Sequence, residues 1–257
     1  MVRKNASVIA CLFLLANPLV AQKISHYATV GVAAGASGYQ VNIGPEAGLS
    51  VGYALQNRHF LFHTGLEAVY AYRMGSPVDY TDSIPSIDTQ QDPYLLRLAY
   101  HDIHTSMRSF RLAIPLRFGG QWNAFYFTAG PSFSIHIAHS KQTAELTSTA
   151  EYDFLMDPFV NMPNHGLTTT LIDEPWTSMP VYAGMDASAE IGWIISSDAP
   201  TLHQPHIIPH DWRLALYTDI GLWRSNASFH PADTWSAGIR LSVWFGFPHH
   251  YPCRCLF

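Results

Sequence analysis

The sequence predicts an all-β protein, an eight-stranded antiparallel up-and-down transmembrane β-barrel. Three observations lead to this fold class: a long alternating segment near the C-terminus, seven similar segments before it, and a low content of charged residues. Only 13% of the 257 residues are charged, about half of the usual 25%. A soluble domain needs more charge to cover its surface, so the composition favours a chain whose outer surface contacts lipid.

The clearest strand runs from Trp235 to Phe247, where apolar residues alternate with small or polar ones without a break. A period of two indicates a β-strand with one apolar and one mixed face. Its length exceeds the usual five or six residues and is enough to cross a bilayer, which takes roughly 9–11 residues in a tilted strand. In a membrane barrel the apolar face contacts lipid, whereas in a soluble β-sandwich it would form the core.

Seven further segments show a similar alternation. We predict strands at 28–37, 45–53, 60–72, 108–119, 124–138, 181–195 and 212–223. The gaps at 54–59 and 120–123 are short, whereas those at 73–107 and 139–180 are long and rich in Pro, Asp, Ser and Thr. Outer-membrane barrels combine short periplasmic turns with longer outer loops. We therefore expect 73–107 and 139–180 to be long outer loops, and 196–211 to be an unusually long periplasmic turn.

The N-terminus favours export to the cell envelope. Arg3 and Lys4 precede an apolar run, and Ala21 supplies a small residue at its end. This pattern predicts a signal peptide at 1–21, followed by a single barrel domain at 22–257 with a periplasmic tail at 248–257. No other stretch reaches the 18 or so apolar residues of a membrane helix. A closed barrel is then the way to span lipid, because lipid offers no partner to an open strand edge.

Short motifs in the middle of the chain resemble a known family. They are Gly65-Leu66-Glu67 with Tyr70 and Tyr72, Arg111-Leu112-Ala113-Ile114-Pro115-Leu116, and Tyr126-Phe127-Thr128-Ala129-Gly130-Pro131. Residues 60–138 thereby resemble the outer-membrane β-barrel domain of PorT-like proteins of the Bacteroidota. The resemblance implies an eight-stranded barrel in the cell outer membrane. It implies no single activity, although a few members serve protein secretion.

Strand alternation predicts a set of charged residues inside the barrel. The set comprises Glu46, Glu67, Arg111, Arg117, Asp186, Glu190, Arg213, Asp219 and Arg240. Buried charges must be paired to be tolerated, and eight strands leave an interior just wide enough for side chains to fill. We therefore expect a packed ionic plug rather than an ion path. A last hairpin centred near residue 229 would place Asp219 opposite Arg240.

Histidine and cysteine residues gather at the predicted periplasmic rim. The candidate metal ligands are His203, His206, His210, His249, His250, Cys253 and Cys255. Imidazole and thiolate are good ligands for Zn²⁺ or Cu(I), but the spacing matches no metal signature. One alternative is an intermolecular disulfide through Cys253 or Cys255. The other is that 196–211 and 248–257 are two extensions without a selected function. No cofactor is predicted.

These features predict a structural or interaction protein of the outer membrane, with lipid around it. Protein partners are expected at 73–107, at 139–180 or at the periplasmic rim, and the net charge of −5 gives no basic surface for nucleic acid. The alternatives are a small porin, or a soluble exported β-sandwich with a binding or adhesive role. A lipid-modifying enzyme is not predicted, because His136, Ser132 and Ser134 should point into the interior and no G-x-S-x-G motif occurs.

Overall fold

The computed structural model describes residues 24–40, 42–57, 59–87, 93–153, 158–161, 168–198, 210–225 and 234–247. Within these ranges the chain forms antiparallel β-sheet and no helix, which confirms the predicted all-β class. It follows that no described helix is long and apolar enough to span a membrane. The strands are β1 (Ser25–Tyr39), β2 (Asn42–Asn57), β3 (Phe60–Met74), β4 (Val78–Ile87), β5 (Pro93–Trp122), β6 (Phe125–Asp153), β7 (Pro158–Asn161), β8 (Thr168–Asp173), β9 (Thr177–Ser178), β10 (Tyr182–Asp198), β11 (His210–Arg224) and β12 (Thr234–Gly246).

Eight long strands pair side by side in a closed ring. The order is β1–β2–β3–β5–β6–β10–β11–β12, and β12 returns to β1. The closing pair runs from Tyr27 opposite Gly246 to Tyr39 opposite Thr234. Each of the eight strands predicted from the sequence overlaps one strand of the ring. Because every strand has a partner on both sides, the ring has no free edge.

The prediction of long loops at 73–107 and 139–180 is wrong for the described residues. β4 and the first half of β5 fall within 73–107, while the second half of β6 and β7, β8 and β9 fall within 139–180. Pro and Asp are depleted in strands, but here the segments pair with one another and satisfy their backbone groups. They form a four-stranded sheet beyond the ring, which we call the arm (78–87, 93–106, 140–153 and 168–173).

The two ends of the ring differ. At one end, which we call the turn end, a two-residue turn joins β5 to β6, and β2 and β3 are separated by two residues in the sequence. Asn123 occupies the first position of the turn between β5 and β6 with a φ of 53°, a left-handed conformation that suits tight hairpins and that Asn tolerates. The arm rises from the other end, which we call the mouth. The ring therefore has short connections at the turn end and the arm at the mouth.

Burial in the ring is the reverse of that in a soluble domain. Among the described residues, 22 buried side chains are polar or charged and 14 are apolar. In β12, Ile239 is 52% exposed on the outside whereas its neighbour Arg240 is 4% exposed inside. The same alternation continues along that strand and confirms the two faces predicted from its sequence. The sequence pattern thus builds a polar interior and an apolar outer surface.

Candidate functional site

The candidate site is the charged interior of the ring. All nine residues that the sequence places there point inward and are nearly inaccessible to solvent, the most exposed being the Arg111 side chain at 12%. They come from six strands: Glu46 from β2, Glu67 from β3, Arg111 and Arg117 from β5, Asp186 and Glu190 from β10, Arg213 and Asp219 from β11, and Arg240 from β12. The contacts group them into layers along the ring axis.

The middle layer is a four-residue ionic cluster. Arg117 donates from both terminal nitrogens to Glu67, at 2.8 and 3.2 Å. Arg240 donates to the same carboxylate at 2.6 Å and to Glu190 at 3.0 Å. Glu190 also accepts a hydrogen bond from the Tyr126 hydroxyl at 2.6 Å. Two cations and two anions therefore neutralise one another across the ring, which makes their burial tolerable.

A second ionic layer lies closer to the mouth. Arg111 contacts Asp219 at 2.7 Å and Asp186 at 3.6 Å, and Arg224 contacts Asp186 at 2.5 Å. Glu46 stands nearby and accepts a hydrogen bond from the Tyr217 hydroxyl at 2.6 Å. This layer joins opposite walls of the ring, since β5 and β11 are not neighbours.

The turn end is filled by an arginine packed among aromatic rings. The guanidinium carbon of Arg213 lies 3.7 Å from the centre of the Trp244 ring and 5.3 Å from that of Tyr126. Its carboxylate partner is Asp211, at 3.1 Å. His63 stacks on Trp244 with ring centres 5.5 Å apart. Desolvated cation–π contacts of this kind are favourable, so the cluster closes this end with packed side chains.

The register of the last hairpin differs from the prediction. Asp219 lies opposite Ser236, and Arg240 lies opposite Ala215, four residues along β11 from the predicted partner. A shift by an even number of residues leaves every side chain on its original face. Strand alternation therefore places both residues inside but does not decide which pairs with which. In the structure, each finds its ionic partner across the ring rather than in the adjacent strand.

Two interior arginines were missed by the sequence analysis. Arg73 lies one residue beyond the predicted end of β3, and it donates to Ser37 at 2.9 Å and to Ser109 at 2.8 Å. Arg224 has the wrong parity for an inward residue. A bulge opposite Met185 and Asp186 leaves Leu222 unpaired and turns Arg224 inward, because one extra residue reverses the alternation. Extending the predicted β3 by one residue would have placed Arg73 on the inward face, in line with Glu67. No sequence signal marks the bulge that turns Arg224 inward.

The histidine–serine set inside the ring does not have triad geometry. Ser132, Ser134 and His136 are all buried and inward. The Ser134 hydroxyl contacts His136 Nε2 at 2.8 Å and Asp186 at 3.1 Å. In a catalytic triad the carboxylate orients the imidazole. Here the Asp186 carboxylate instead accepts a hydrogen bond from the Ser134 hydroxyl, and the His136 ring stacks on Tyr182 with ring centres 4.7 Å apart.

Most of the candidate metal ligands lie outside the described residues. These are His203, His206, His249, His250, Cys253 and Cys255. His210 begins β11 and lies 6.4 Å from the Phe245 ring, centre to centre. Within the part of the chain that the structure describes, no three His, Cys, Asp or Glu side chains are grouped as a metal site requires.

A small cavity opens at the mouth of the ring. Its volume is about 40 Å³, which is room for a few water molecules. Three guanidinium groups line it, those of Arg73, Arg111 and Arg224, together with His136 and the carboxylates of Glu46, Asp186 and Asp219. The middle ionic cluster and the aromatic cluster lie beneath it, so the cavity is a recess in the mouth.

No family model matches the chain, and no curated protein matches it.

Proposed function

We propose that this chain is an outer-membrane β-barrel with a lumen filled by side chains, acting as a structural or interaction component of the cell envelope. The observation that carries the proposal is the inverted burial of the ring. Val51, Ile114 and Ile239 are each at least 50% exposed on the outside, while the inside holds ion pairs. Soluble monomers rarely expose apolar patches beyond a few hundred Å², and lipid removes the cost of doing so.

The dimensions of the ring are consistent with this location. Its shortest strand, β12, has 13 residues, and a tilted membrane strand needs roughly 9–11. Ring closure leaves no backbone edge to face lipid. Exposed aromatic side chains lie near both ends, as in the interfacial girdles of membrane barrels: Phe60, Trp122, Trp193, Trp212 and Phe245 at the turn end, and Tyr70, Trp223 and Trp235 at the mouth.

The filled interior favours a structural or interaction role over a small porin. The middle ionic cluster and the aromatic cluster around Arg213 occupy successive levels of the ring, with Arg117 and Arg213 both at 0% exposure. A soluble β-sandwich, the other alternative, would bury apolar faces between two sheets, whereas the ring is one closed sheet with its apolar face outward.

The arm is the proposed surface for partners. Nine of the ten residues of β4 are exposed, and surface segments that a rigid scaffold positions commonly carry binding functions. Membership of the PorT-like family, with a secretion-associated role, belongs to this proposal and is supported by the motifs at 60–138. The proposed periplasmic rim at 196–211 and 248–257 lies mostly outside the described residues.

Matched arginine substitutions on the ring and on the arm test the membrane location. Ile114 is 50% exposed on the ring and Ile84 is 44% exposed on the arm. An arginine facing the middle of a bilayer costs about 2–4 kcal/mol, and one facing water costs about zero. We therefore expect Ile114→Arg to reduce assembly into lipid vesicles, measured as heat-modifiable mobility on a gel, and Ile84→Arg to leave it unchanged.

The outcome separates the two locations because a soluble protein would tolerate both substitutions. Equal assembly of the two variants, with recovery of the native protein as a soluble periplasmic monomer, would refute the proposal. Planar-bilayer recording tests the filled lumen separately. The folded protein should give no stable channel, and a large steady conductance would favour the porin alternative.

A further inference from the structure

The arm has an edge strand on each side. Among the described residues, β4 pairs only with β5, and β8 pairs only with β6. β8 continues the line of β9 and β10 along β6, but β11, the next strand of the ring, ends at Arg224 opposite Gly184. No described strand therefore pairs with the outer edge of β8. An edge of this kind presents a row of unpaired N–H and C=O groups.

The register of β8 identifies the backbone groups on its outer edge. Glu174 donates its backbone N–H to the Gln142 carbonyl at 3.0 Å, so these two residues form a hydrogen-bonded pair. Hydrogen-bonded and non-hydrogen-bonded pairs alternate along an antiparallel ladder. Thr169, Leu171 and Asp173 fall in the non-hydrogen-bonded pairs with β6. Their N–H and C=O groups consequently point away from β6, toward the outer edge.

The opposite edge of the arm, on β4, is blocked. Ser83 donates its backbone N–H to the Asp82 carboxylate at 2.8 Å, so this N–H is already engaged. Pro85 lies two residues further along the same edge and has no N–H, and proline within sheets is confined to edges of this kind. Proline and charged side chains are common protections of an edge strand. The β4 edge therefore lacks free donors at two successive outward positions.

The β8 edge has a different composition. Its sequence, Thr-Thr-Thr-Leu-Ile-Asp, contains no proline and is rich in β-branched residues, which favour strands. Leu171 is 80% exposed, the highest value among the described large apolar side chains. The charge of Asp173 is paired with Lys141 at 2.6 Å. A partner at this edge would therefore be held by backbone hydrogen bonds and by contact with Leu171 rather than by charge.

We propose that the outer edge of β8 binds an extended peptide segment of another protein, which adds to the arm as an antiparallel strand. Main-chain hydrogen bonds supply the affinity in this mode of recognition, and alternate side chains supply the specificity. The segment carries an apolar side chain next to Leu171 and has an uncharged centre. The inference rests on the proposed interaction role, because it narrows the partner surface from the whole arm to one edge and names the class of partner.

A second copy of the chain fits this edge less well. Two copies in one membrane are related by a rotation about the membrane normal, so their β8 strands would run in the same direction. Strands that run in the same direction form a parallel ladder, which is slightly less stable per residue than an antiparallel one. A free segment of another protein has no such restriction.

The probe is the peptide Lys-Thr-Val-Thr-Val-Thr-Val-Lys, and its control carries N-methyl groups on two consecutive central residues. Consecutive residues of a strand direct their N–H groups to opposite edges, so the control keeps the side chains but cannot pair at its centre. Amide hydrogen exchange is followed by two-dimensional NMR of the full folded chain in detergent micelles. We expect the probe to slow exchange at Thr169, Leu171 and Asp173 and the control to have no effect. Exchange at Thr170 and Ile172, which already pair with β6, should change little.

Substitutions on the two edges of the arm locate the binding site. Leu171→Pro removes an outward N–H that does not bond to β6, so the arm should form while probe binding weakens about tenfold or more. Leu171→Thr keeps this N–H and should weaken binding less, which separates the backbone contribution from that of the side chain. Thr81→Pro, the matched control, lies on the β4 edge two residues before Ser83 and should leave binding unchanged. Retained dispersion of the amide signals shows that each variant is folded.

Other outcomes would contradict the inference. Equal protection by the probe and its N-methylated control, or probe binding that Leu171→Pro does not weaken, would overturn the site. Binding that disappears at high salt would overturn the role of backbone hydrogen bonds, since salt screens charges. A dimer in analytical ultracentrifugation that Leu171→Pro abolishes would assign the edge to a second copy instead.

The results also distinguish this inference from the proposed function. Absence of probe binding in a chain that assembles normally into lipid vesicles would refute the edge site and leave the membrane location standing. Probe binding together with equal assembly of Ile114→Arg and Ile84→Arg would refute the membrane location alone.

Discussion

Loss of the Glu67 charge should strongly destabilise the ring. It accepts hydrogen bonds from Arg117 at 2.8 and 3.2 Å and from Arg240 at 2.6 Å, and it is 3% exposed. Glu67→Gln preserves the side-chain shape but removes the negative charge, and it directs an amide N–H₂ toward guanidinium donors. Two buried arginines are then left with Glu190 as their one anionic partner in the cluster.

The expected loss can be worked out in two ways that agree. Breaking a buried ion pair from one side costs about 3–5 kcal/mol. Losing one charge-assisted hydrogen bond, worth about 1.5–3 kcal/mol, and leaving one donor unpaired, at about 1–3 kcal/mol, gives a similar total. With a urea dependence of about 2 kcal/mol per molar, the unfolding midpoint should fall by roughly 2 M.

The assay is reversible urea unfolding in lipid vesicles, followed by tryptophan fluorescence. Glu145→Gln is the control, because Glu145 is exposed on the arm opposite His101, and it should change stability by less than about 0.5 kcal/mol. The double variant Glu67→Gln with Arg117→Met removes a cation as well, so it should recover part of the loss. Equal midpoints for Glu67→Gln and Glu145→Gln would refute the view that the cluster stabilises the ring.

Three further substitutions, one of them a control, test the packing of the ring. Gly119→Ala should strongly reduce the folded fraction seen by heat-modifiable mobility, because an added Cβ would lie 1.8 Å from the Phe127 carbonyl oxygen of the neighbouring strand; Gly48→Ala, whose nearest atom is a Val69 methyl group at 3.1 Å, should be tolerated. Equal folding of the two glycine variants would contradict this reading. Trp244→Ala should lower the free energy of unfolding by about 3–5 kcal/mol in the urea assay, since Trp244 is 2% exposed and its indole contacts both Arg213 and His63. A loss below about 1 kcal/mol would show that the aromatic cluster does not stabilise the turn end.

The arm shows where sequence reasoning failed. Composition rich in Pro, Asp, Ser and Thr usually marks loops, and the individual segments carry no strong alternation. Their strands form because distant segments pair: Tyr80 lies opposite Tyr100, and Tyr100 lies opposite Leu146. Such pairing depends on partners tens of residues away, and a local pattern does not contain that information.

The sequence by itself determined the all-β class, the approximate positions of the eight ring strands and the side of each strand that faces inward. It did so because a period of two assigns every residue to a face, whatever the register. Tertiary structure decided which charges meet, because shifts of the register by an even number of residues preserve the faces of a strand. Arg240 therefore pairs with Glu67 across the ring instead of lying opposite Asp219. Tertiary structure also decided that Arg224 points inward, because a single bulge reverses the alternation in β11. Faces follow from local alternation, whereas partners follow from closure of the whole ring.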